Sequence, residues 1–133
     1  MPIRVAQIGT GNVGAHALRS VIANPAFELT AVWVSSEAKA GKDAAELVGL
    51  DTKTGIITTT DLDAVLATKP DCAVYNAMAD NRLMEALEDY RRILAAGVNV
   101  VGSGPVFLQW PWQVIPDEMI TPIEDAAREG NSS

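Results

Sequence analysis

Apolar residues follow two periodicities along this chain. Short, nearly continuous apolar or β-branched runs predict five strands, over residues 3–8, 27–34, 56–59, 72–75 and 99–101. Between the runs, apolar residues recur every three or four positions. This spacing predicts a helix directly after residue 12 and further helices over residues 43–48, 60–67, 80–96 and 121–129. Alternation of strands with helices predicts an α/β domain of three layers, in which helices cover both faces of a mostly parallel sheet.

The first strand leads into a glycine-rich turn and then into a helix. Residues 9–14 read Gly-Thr-Gly-Asn-Val-Gly. Between a strand and a helix, the first glycine allows the tight turn, the second lets a pyrophosphate approach the backbone, and the third lets the helix pack close to the strand. The helix N-terminus adds free N–H groups and a partial positive charge. Dinucleotide binding is therefore predicted for Gly9, Thr10, Gly11, Asn12, Val13 and Gly14. The alternative is a glycine-rich turn that binds nothing.

The end of the second predicted strand bears on the choice of dinucleotide. An acid about 20 residues beyond the glycines binds the ribose 2′-OH of NAD. Here Val34, Ser35 and Ser36 occupy that position, the nearest acid is Glu37, and Lys39 follows. Hydroxyl and ammonium groups suit a 2′-phosphate, so Ser35, Ser36 and Lys39 are predicted at the adenosine ribose, and NADP is favoured over NAD. The alternative is a solvated loop.

Two further strand ends are expected at the same edge of the sheet, because ligands of open α/β sheets bind beyond the carboxyl ends of the strands. Asn76, Ala77 and Met78 follow the fourth predicted strand, and Gly102 and Ser103 follow the fifth. We expect these residues near the nicotinamide half of the cofactor. Met78 has a core position as an equal alternative, since methionine readily fills gaps in a core.

The longest predicted helix and the loop after the fifth strand carry the remaining candidates. Trp110 and Trp112 are predicted to line a substrate pocket, to cover an interface in a homo-oligomer, or to pack within the domain. A solvated helix face is predicted for Arg82, Glu85, Asp89 and Arg92.

Composition narrows the classes of partner. The chain has 133 residues, enough for one domain, and its net charge of −7 argues against nucleic acid. The chain contains no run of ~18 apolar residues, so no membrane span is predicted. The single cysteine, Cys72, excludes an intramolecular disulfide and fits the cytoplasm. No metal-ligand spacing is present, and His16 is expected to be a surface or packing residue.

Five stretches in combination resemble a known family. In chain order they read IRVAQIGTGNVG, VSSEAKAGKDAAEL, PDCAVYNAM, AAGVNVVGSG and LQWPW. The chain resembles the N-terminal half of dihydrodipicolinate-reductase-like proteins along essentially its whole length. Within that group, it is similar to 2,4-diaminopentanoate dehydrogenases and native amine dehydrogenases.

The resemblance implies a Rossmann domain that binds NAD(P)H. It also implies hydride transfer to an imine formed from a ketone and ammonia, or the reverse oxidative deamination of an amine. By the same resemblance, residues 9–14 hold the pyrophosphate, Ser35, Ser36 and Lys39 lie at the adenosine ribose, and residues 76–78, Gly102 and Ser103 flank the nicotinamide.

The chain departs from the family in two respects. Amine-dehydrogenase relatives carry a glutamate in the loop after the fifth strand, shortly before a Tyr-Pro-Trp, whereas residues 104–110 contain no acid. No catalytic residue is therefore assigned. The family also continues into a C-terminal domain that forms most of the substrate pocket and the dimer interface. We expect residues 1–133 to be one NAD(P)-binding domain without that part, from either a short gene or a fragment. The alternative function is a non-catalytic nucleotide- or CoA-binding module.

Overall fold

A sheet of four parallel strands forms the centre of the protein. The computed structural model describes residues 1–133. The strands are β1 (Ile3–Ile8), β2 (Phe27–Trp33), β3 (Cys72–Tyr75) and β4 (Asn99–Gly102), in the order β2-β1-β3-β4. The helices are α1 (Asn12–Ala23), α2 (Ala44–Leu47), α3 (Leu62–Ala67), α4 (Leu83–Ala95) and α5 (Asp117–Gly130), with a 3-10 helix over Val106–Gln109. No helix combines the length and the apolar character needed to cross a membrane.

Alternate residues of the strands face two separate apolar cores. On one face, Ala6 and Ile8 of β1 pack with buried side chains of α3 and α4. On the other face, Val32 of β2 packs with Leu18 of α1 and with buried residues of α2. Helix α5 packs against α4, outside the sheet. The predicted three-layer α/β fold is therefore confirmed, and the sheet is wholly parallel.

The segment over residues 56–59 is not a strand of this sheet, in contrast to the prediction. Only Thr59 pairs with β2, where its N–H donates to the Val32 carbonyl at 3.0 Å. Residues 56–58 bond instead to the start of α2 and to the loop before it. The Ile56 carbonyl accepts from the Ala44 N–H, and the Thr58 N–H donates to the Lys42 carbonyl, both at 2.9 Å. The predicted fourth and fifth strands are consequently β3 and β4.

The last two helices begin at residues other than those predicted. Helix α4 begins at Leu83, because residues 80–82 form a turn, and α5 begins four positions before Thr121. Asp117 and Glu118 occupy the first turn of α5, where carboxylates interact favourably with the helix dipole, and Pro122 lies inside the helix.

Asp43 ties α2 to the loop that follows it. Its carboxylate accepts hydrogen bonds from the N–H groups of Ala45 at 2.9 Å, Thr54 at 3.1 Å and Gly55 at 2.9 Å, and from the Thr54 hydroxyl at 2.9 Å. The backbone N–H of Thr54 is the largest of the contributions that together lower the pKa of Asp43 to about 2. The ionised carboxylate therefore stabilises the native state.

We predict that Asp43→Asn unfolds at a lower temperature than the unchanged protein at neutral pH. The pKa of Asp43 lies below its ordinary value of 3.8, so its contribution to stability is present above about pH 4 and is lost as the pH falls towards 2. The difference in thermal midpoint between the two proteins should therefore shrink over that range. Asp51→Asn, at an exposed position of the same loop, is the control. A difference that stays constant from pH 6 to pH 2 would contradict the prediction.

Candidate functional site

One cleft lies at the carboxyl ends of the strands. Its volume is about 640 Å³. Gly14, Ser36 and Gly102 do not line it. The predicted site residues that line it are Gly9, Thr10, Gly11, Asn12, Val13, Ser35, Lys39, Asn76, Ala77, Met78 and Ser103. The other lining residues were not among the predicted site residues; they are Trp33, Ala79, Asp80, Asn81, Arg82, Gly104 and Val106.

The three glycines of the turn have different surroundings. Gly9 has a φ of +94°, and a Cβ there would lie 2.6 Å from the Ala77 nitrogen. A Cβ on Gly14 would lie 2.2 Å from the Gly9 carbonyl oxygen. A Cβ on Gly11 would meet no protein atom within 4 Å, because this residue faces the open cleft. Gly9 and Gly14 therefore let backbone segments approach closely, and Gly11 leaves room for a ligand.

Helix α1 points an uncapped N-terminus at the cleft. Gly11 is its N-cap residue, no side chain accepts from its first N–H groups, and its first turn contains no acid. In contrast, Asp43 and Asp61 cap α2 and α3 with their carboxylates. Free N–H groups and the positive end of a helix dipole together favour an anion such as a phosphate.

A buried glutamine connects the turn to the far side of the cleft. The side chain of Gln7 is fully buried, and its Nε2 donates to the Gly9 carbonyl at 3.0 Å and to Asn76 Oδ1 at 2.9 Å. Asn76 Nδ2 in turn donates to Ser103 Oγ at 3.1 Å. The amide orientation of Asn76 is thereby defined. The sequence signal for Gln7 is an amide within the apolar run of β1.

The loop after β2 brings Ser35 and Lys39 to the cleft. Ser36 lies in a turn in which its carbonyl accepts from the Lys39 N–H at 3.1 Å, and it does not reach the cleft. The Glu37 carboxylate accepts from the Thr60 hydroxyl at 3.0 Å and also lies outside the cleft lining. The loop after β2 therefore presents a hydroxyl and an ammonium to the cleft, and none of its carboxylates.

The prediction that Arg82 and Asp89 belong to a solvated face is wrong. The Tyr75 hydroxyl donates to Asp89 Oδ2 at 2.7 Å, and Arg82 donates to the Tyr75 oxygen at 3.2 Å and to Asp89 Oδ2 at 3.4 Å. Burial, followed by the bond to Asp89, raises the pKa of the Tyr75 hydroxyl. The periodicity of α4 could not reveal these contacts, because Tyr75 belongs to β3. Glu85 is exposed as predicted, and Arg92 forms an ion pair with Asp63 of α3.

The residues after β4 shape the other end of the cleft. The Tyr90 hydroxyl donates to the Gly104 carbonyl at 2.7 Å, and a Cβ on Gly102 would lie 1.9 Å from that hydroxyl oxygen. Burial raises the pKa of Tyr90 to about 12. Gly102 thus lets α4 approach the strand end, and Ser103 lines the cleft beyond it. Met78 is 65% exposed and is therefore not a core residue.

Trp110 and Trp112 do not line the cleft. Their rings meet edge to face with centroids 5.2 Å apart, and the Trp112 indole donates to Glu124 of α5 at 3.0 Å. Their residues are 67% and 47% exposed, so neither is packed into the core of the domain. Their involvement in a homo-oligomer stays a prediction.

Comparison with known proteins identifies the family. The family model for the N-terminal domain of dihydrodipicolinate reductase matches residues 3–101, which include β1 and the first three positions of β4. The chain belongs to this family. The predicted resemblance to this family is therefore confirmed.

Amine dehydrogenases are among the similar proteins. The chain is 43% identical over 125 residues to an amine dehydrogenase from Streptomyces virginiae; the match covers 94% of this chain and 34% of that protein. The structure of an amine dehydrogenase from Mycobacterium smegmatis matches with a TM-score of 0.84 and 24% identity, covering 99% of this chain and 38% of that one. The chain thus spans about a third of the length of these relatives.

A second solved structure shares the fold. Biliverdin reductase from Synechocystis sp. PCC 6803, in complex with biliverdin and NADP+, matches with a TM-score of 0.70 and 20% identity. The match covers 99% of this chain and 36% of that one. The same α/β architecture therefore occurs in oxidoreductases that act on unrelated substrates.

We predict that Gly14→Ala lowers the free energy of unfolding by about 1–3 kcal/mol, as overpacking does elsewhere. The new methyl group would meet the backbone carbonyl of Gly9, which a side-chain rotation cannot relieve. Urea denaturation followed by circular dichroism measures the effect. Gly104→Ala is the control, since its methyl group would meet no atom within 4 Å. Equal urea midpoints for the two variants would show that the close approach at Gly14 is unimportant for stability.

Proposed function

We propose that this domain binds NADPH in preference to NADH and is the nucleotide-binding part of an oxidoreductase that interconverts amines with ketones and ammonia. The main support for dinucleotide binding is the uncapped N-terminus of α1, which lies beside the open space at Gly11. In this proposal, the pyrophosphate oxygens accept hydrogen bonds from the backbone N–H groups of residues 11–14. No protein carboxylate competes for those donors.

The preference for NADPH is supported by the loop after β2. Ser35 and Lys39 line the cleft there, while Glu37 is hydrogen-bonded to Thr60. An ammonium and a hydroxyl group bind the 2′-phosphate of NADPH well. The free 2′-hydroxyl of NADH is instead best bound by a carboxylate, which accepts a hydrogen bond from it. Ser36 takes no direct part in this version of the site.

The amine–ketone reaction is supported by the amine dehydrogenase from Streptomyces virginiae, the relative with 43% identity. In such a reaction, the amine carbon gives a hydride to the oxidised nicotinamide and the nitrogen loses a proton. Water then adds to the resulting imine, which breaks down to ketone and ammonia. This chain covers about a third of that relative. Its proposed part is to hold the nicotinamide beside residues 76–78 and Ser103, where the substrate would meet it.

A non-catalytic nucleotide- or CoA-binding module is the second candidate. It is favoured by the loop over residues 104–110, which contains no acid that could exchange a proton with an amine. The two candidates differ at the nicotinamide end of the cleft. An oxidoreductase domain must bind a reduced nicotinamide there, whereas a CoA module needs only the glycine turn and the adenosine end.

The decisive experiment is a titration of the purified chain with NADPH, NADH and CoA. Reduced nicotinamide fluorescence and energy transfer from tryptophan report binding of the first two, and competition with NADPH reports CoA. We expect saturable binding that is tighter for NADPH than for NADH, with enhanced nicotinamide emission. Binding of CoA alone would favour the second candidate. A folded chain that binds none of the three would refute both.

We predict that Gly11→Asp abolishes NADPH binding and leaves the domain at least as stable. Aspartate is a favoured N-cap residue, so its carboxylate would accept from the first N–H groups of α1. The same carboxylate would repel the pyrophosphate and occupy its place. Fluorescence titration and thermal unfolding of the same sample measure the two effects. Gly11→Ser, which caps without a charge, should show a smaller loss. Unchanged NADPH binding by Gly11→Asp would place the pyrophosphate elsewhere.

We predict that Ser35→Glu reverses the preference between the dinucleotides. A carboxylate there would repel the 2′-phosphate and accept from the ribose hydroxyls, so affinity for NADPH should fall about tenfold or more, which corresponds to about 1.4 kcal/mol. Affinity for NADH should stay or rise. Competition titrations of both dinucleotides measure the ratio, with Ser36→Glu as the control at a position outside the cleft. Equal losses for both dinucleotides would contradict the assignment of Ser35 to the 2′-phosphate.

A further inference from the structure

The Arg82 guanidinium approaches the adenosine end of the cleft, although Arg82 belongs to the turn directly before α4. Its guanidinium carbon lies 5.6 Å from the centroid of the Trp33 ring, at the carboxyl end of β2. Ser35 follows that strand end directly and lines the same cleft. The side chain of Arg82 therefore extends from its bonds with Tyr75 of β3 towards the end of β2, where the 2′-phosphate is proposed.

The orientation of this guanidinium is defined by bonds at its edge. Two of its nitrogens donate to Asp89 Oδ2 at 3.4 Å, and Nη1 also donates to the Tyr75 hydroxyl oxygen at 3.2 Å. The Tyr75 hydroxyl donates its own proton to Asp89 at 2.7 Å. The side chain of Asp89 is 14% exposed and that of Arg82 is 25% exposed, so solvent screens this ion pair only in part. Hydrogen bonds thus hold the edge of the Arg82 guanidinium, and none of them occupies either flat face of the group.

The charge of Arg82 is matched within the protein. Asp89 is its ion-pair partner on the same helix, and one side of the guanidinium lies over the ring of Trp33. A guanidinium that is already paired and held at its edge is a poor counter-ion for a mobile phosphate. Its flat face remains well suited to stacking, because arginine stacks on aromatic rings and on nucleobases through dispersion and cation–π attraction.

We propose that Arg82 is a stacking platform for the adenine base of the dinucleotide and that Tyr75 and Asp89 are positioning residues that hold its plane. This inference rests on the proposed dinucleotide function. It adds the N-cap residue of α4 to a site otherwise built from the glycine turn and the loop after β2. In this arrangement, the base lies on the cleft side of Arg82 and Trp33 supports the other side.

The test compares Arg82→Gln and Arg82→Lys with the unchanged chain. Glutamine removes the charge and most of the plane, whereas lysine keeps the charge and loses the plane. Both variants should bind NADPH and adenosine 2′,5′-bisphosphate about tenfold more weakly, in line with the stacking energy of one base. The loss should persist between 0.05 M and 0.5 M salt, because stacking is screened little. Arg91→Gln, which removes an exposed pair with Glu88 on the same helix, should leave both affinities unchanged.

Several outcomes would contradict the proposed stacking of adenine on Arg82. Restoration of affinity by lysine, or disappearance of the loss at high salt, would make Arg82 a charge for a phosphate. Unchanged affinities in folded Arg82 variants would leave it a structural contact only. A loss for NADPH without a loss for the bisphosphate would move its contact to the nicotinamide half. If the unchanged chain binds neither ligand, the proposed function itself fails.

Asp89→Asn provides an independent variant if substitution of Arg82 prevents folding. It keeps the arginine and weakens the bonds at its edge, so the plane is no longer held. The affinity of this variant for adenosine 2′,5′-bisphosphate should fall severalfold, because the Arg82 side chain would then lose conformational freedom when the ligand binds. An affinity equal to that of the unchanged chain would refute the positioning role of Asp89.

Discussion

The close approach of backbone segments at the carboxyl end of β1 is the constraint on which the cleft depends. Gly9 lies against the backbone of residues 76 and 77, and Gly14 lies against Gly9, so the first turn of α1 is held directly over the end of β3. Gln7 secures the same junction from beneath, through bonds to the Gly9 carbonyl and to Asn76. Side chains larger than hydrogen at either glycine would separate these segments, and the N-terminus of α1 would no longer face the ends of the neighbouring strands.

This junction explains how the proposed pyrophosphate site could form with few charged side chains in a chain whose net charge is −7. The donors are backbone N–H groups of α1, which the absence of a capping side chain leaves free. The acidic residues that start helices lie elsewhere, at Asp43 and Asp61, where they bond to their own N–H groups. Local geometry thus overrides the overall charge, because an unpaired helix end acts over a few ångströms, whereas the net charge is spread over the whole surface.

Sequence analysis succeeded where a property depends on adjacent residues. The glycine turn, the buried strands and the hydroxyl and lysine after β2 could all be predicted from neighbours in the chain. It failed where partners are distant. Residues 56–59 have strand-like composition, yet only Thr59 pairs with the sheet, and residues 56–58 pair instead with residues 41–44. Arg82 and Asp89 were predicted on a solvated helix face, yet both bond to the hydroxyl of Tyr75, a buried core residue of β3. Periodicity reports how a helix is oriented on average; it contains no information about which polar groups of another element lie opposite.

The two ends of the cleft are built to different degrees, and this difference bears on how the domain would work. At the end of β2, Trp33, Ser35, Lys39 and Arg82 supply a ring, a hydroxyl, a cation and a planar group, all within one chain. At the end of β4, the polar groups of Asn76 and Ser103 bond to each other, and no acid follows before residue 110. Most contacts for an adenosine moiety would therefore lie at the end of β2. The loop after β4 offers the nicotinamide end no acid for proton exchange with an amine, and Asp80, in the turn before α4, is the one carboxylate among the lining residues of the cleft. Affinity for the dinucleotide and chemistry on a substrate are thus separable properties. The residues that line this cleft would supply the affinity, whereas the chemistry would require further groups on the open side of the nicotinamide ring.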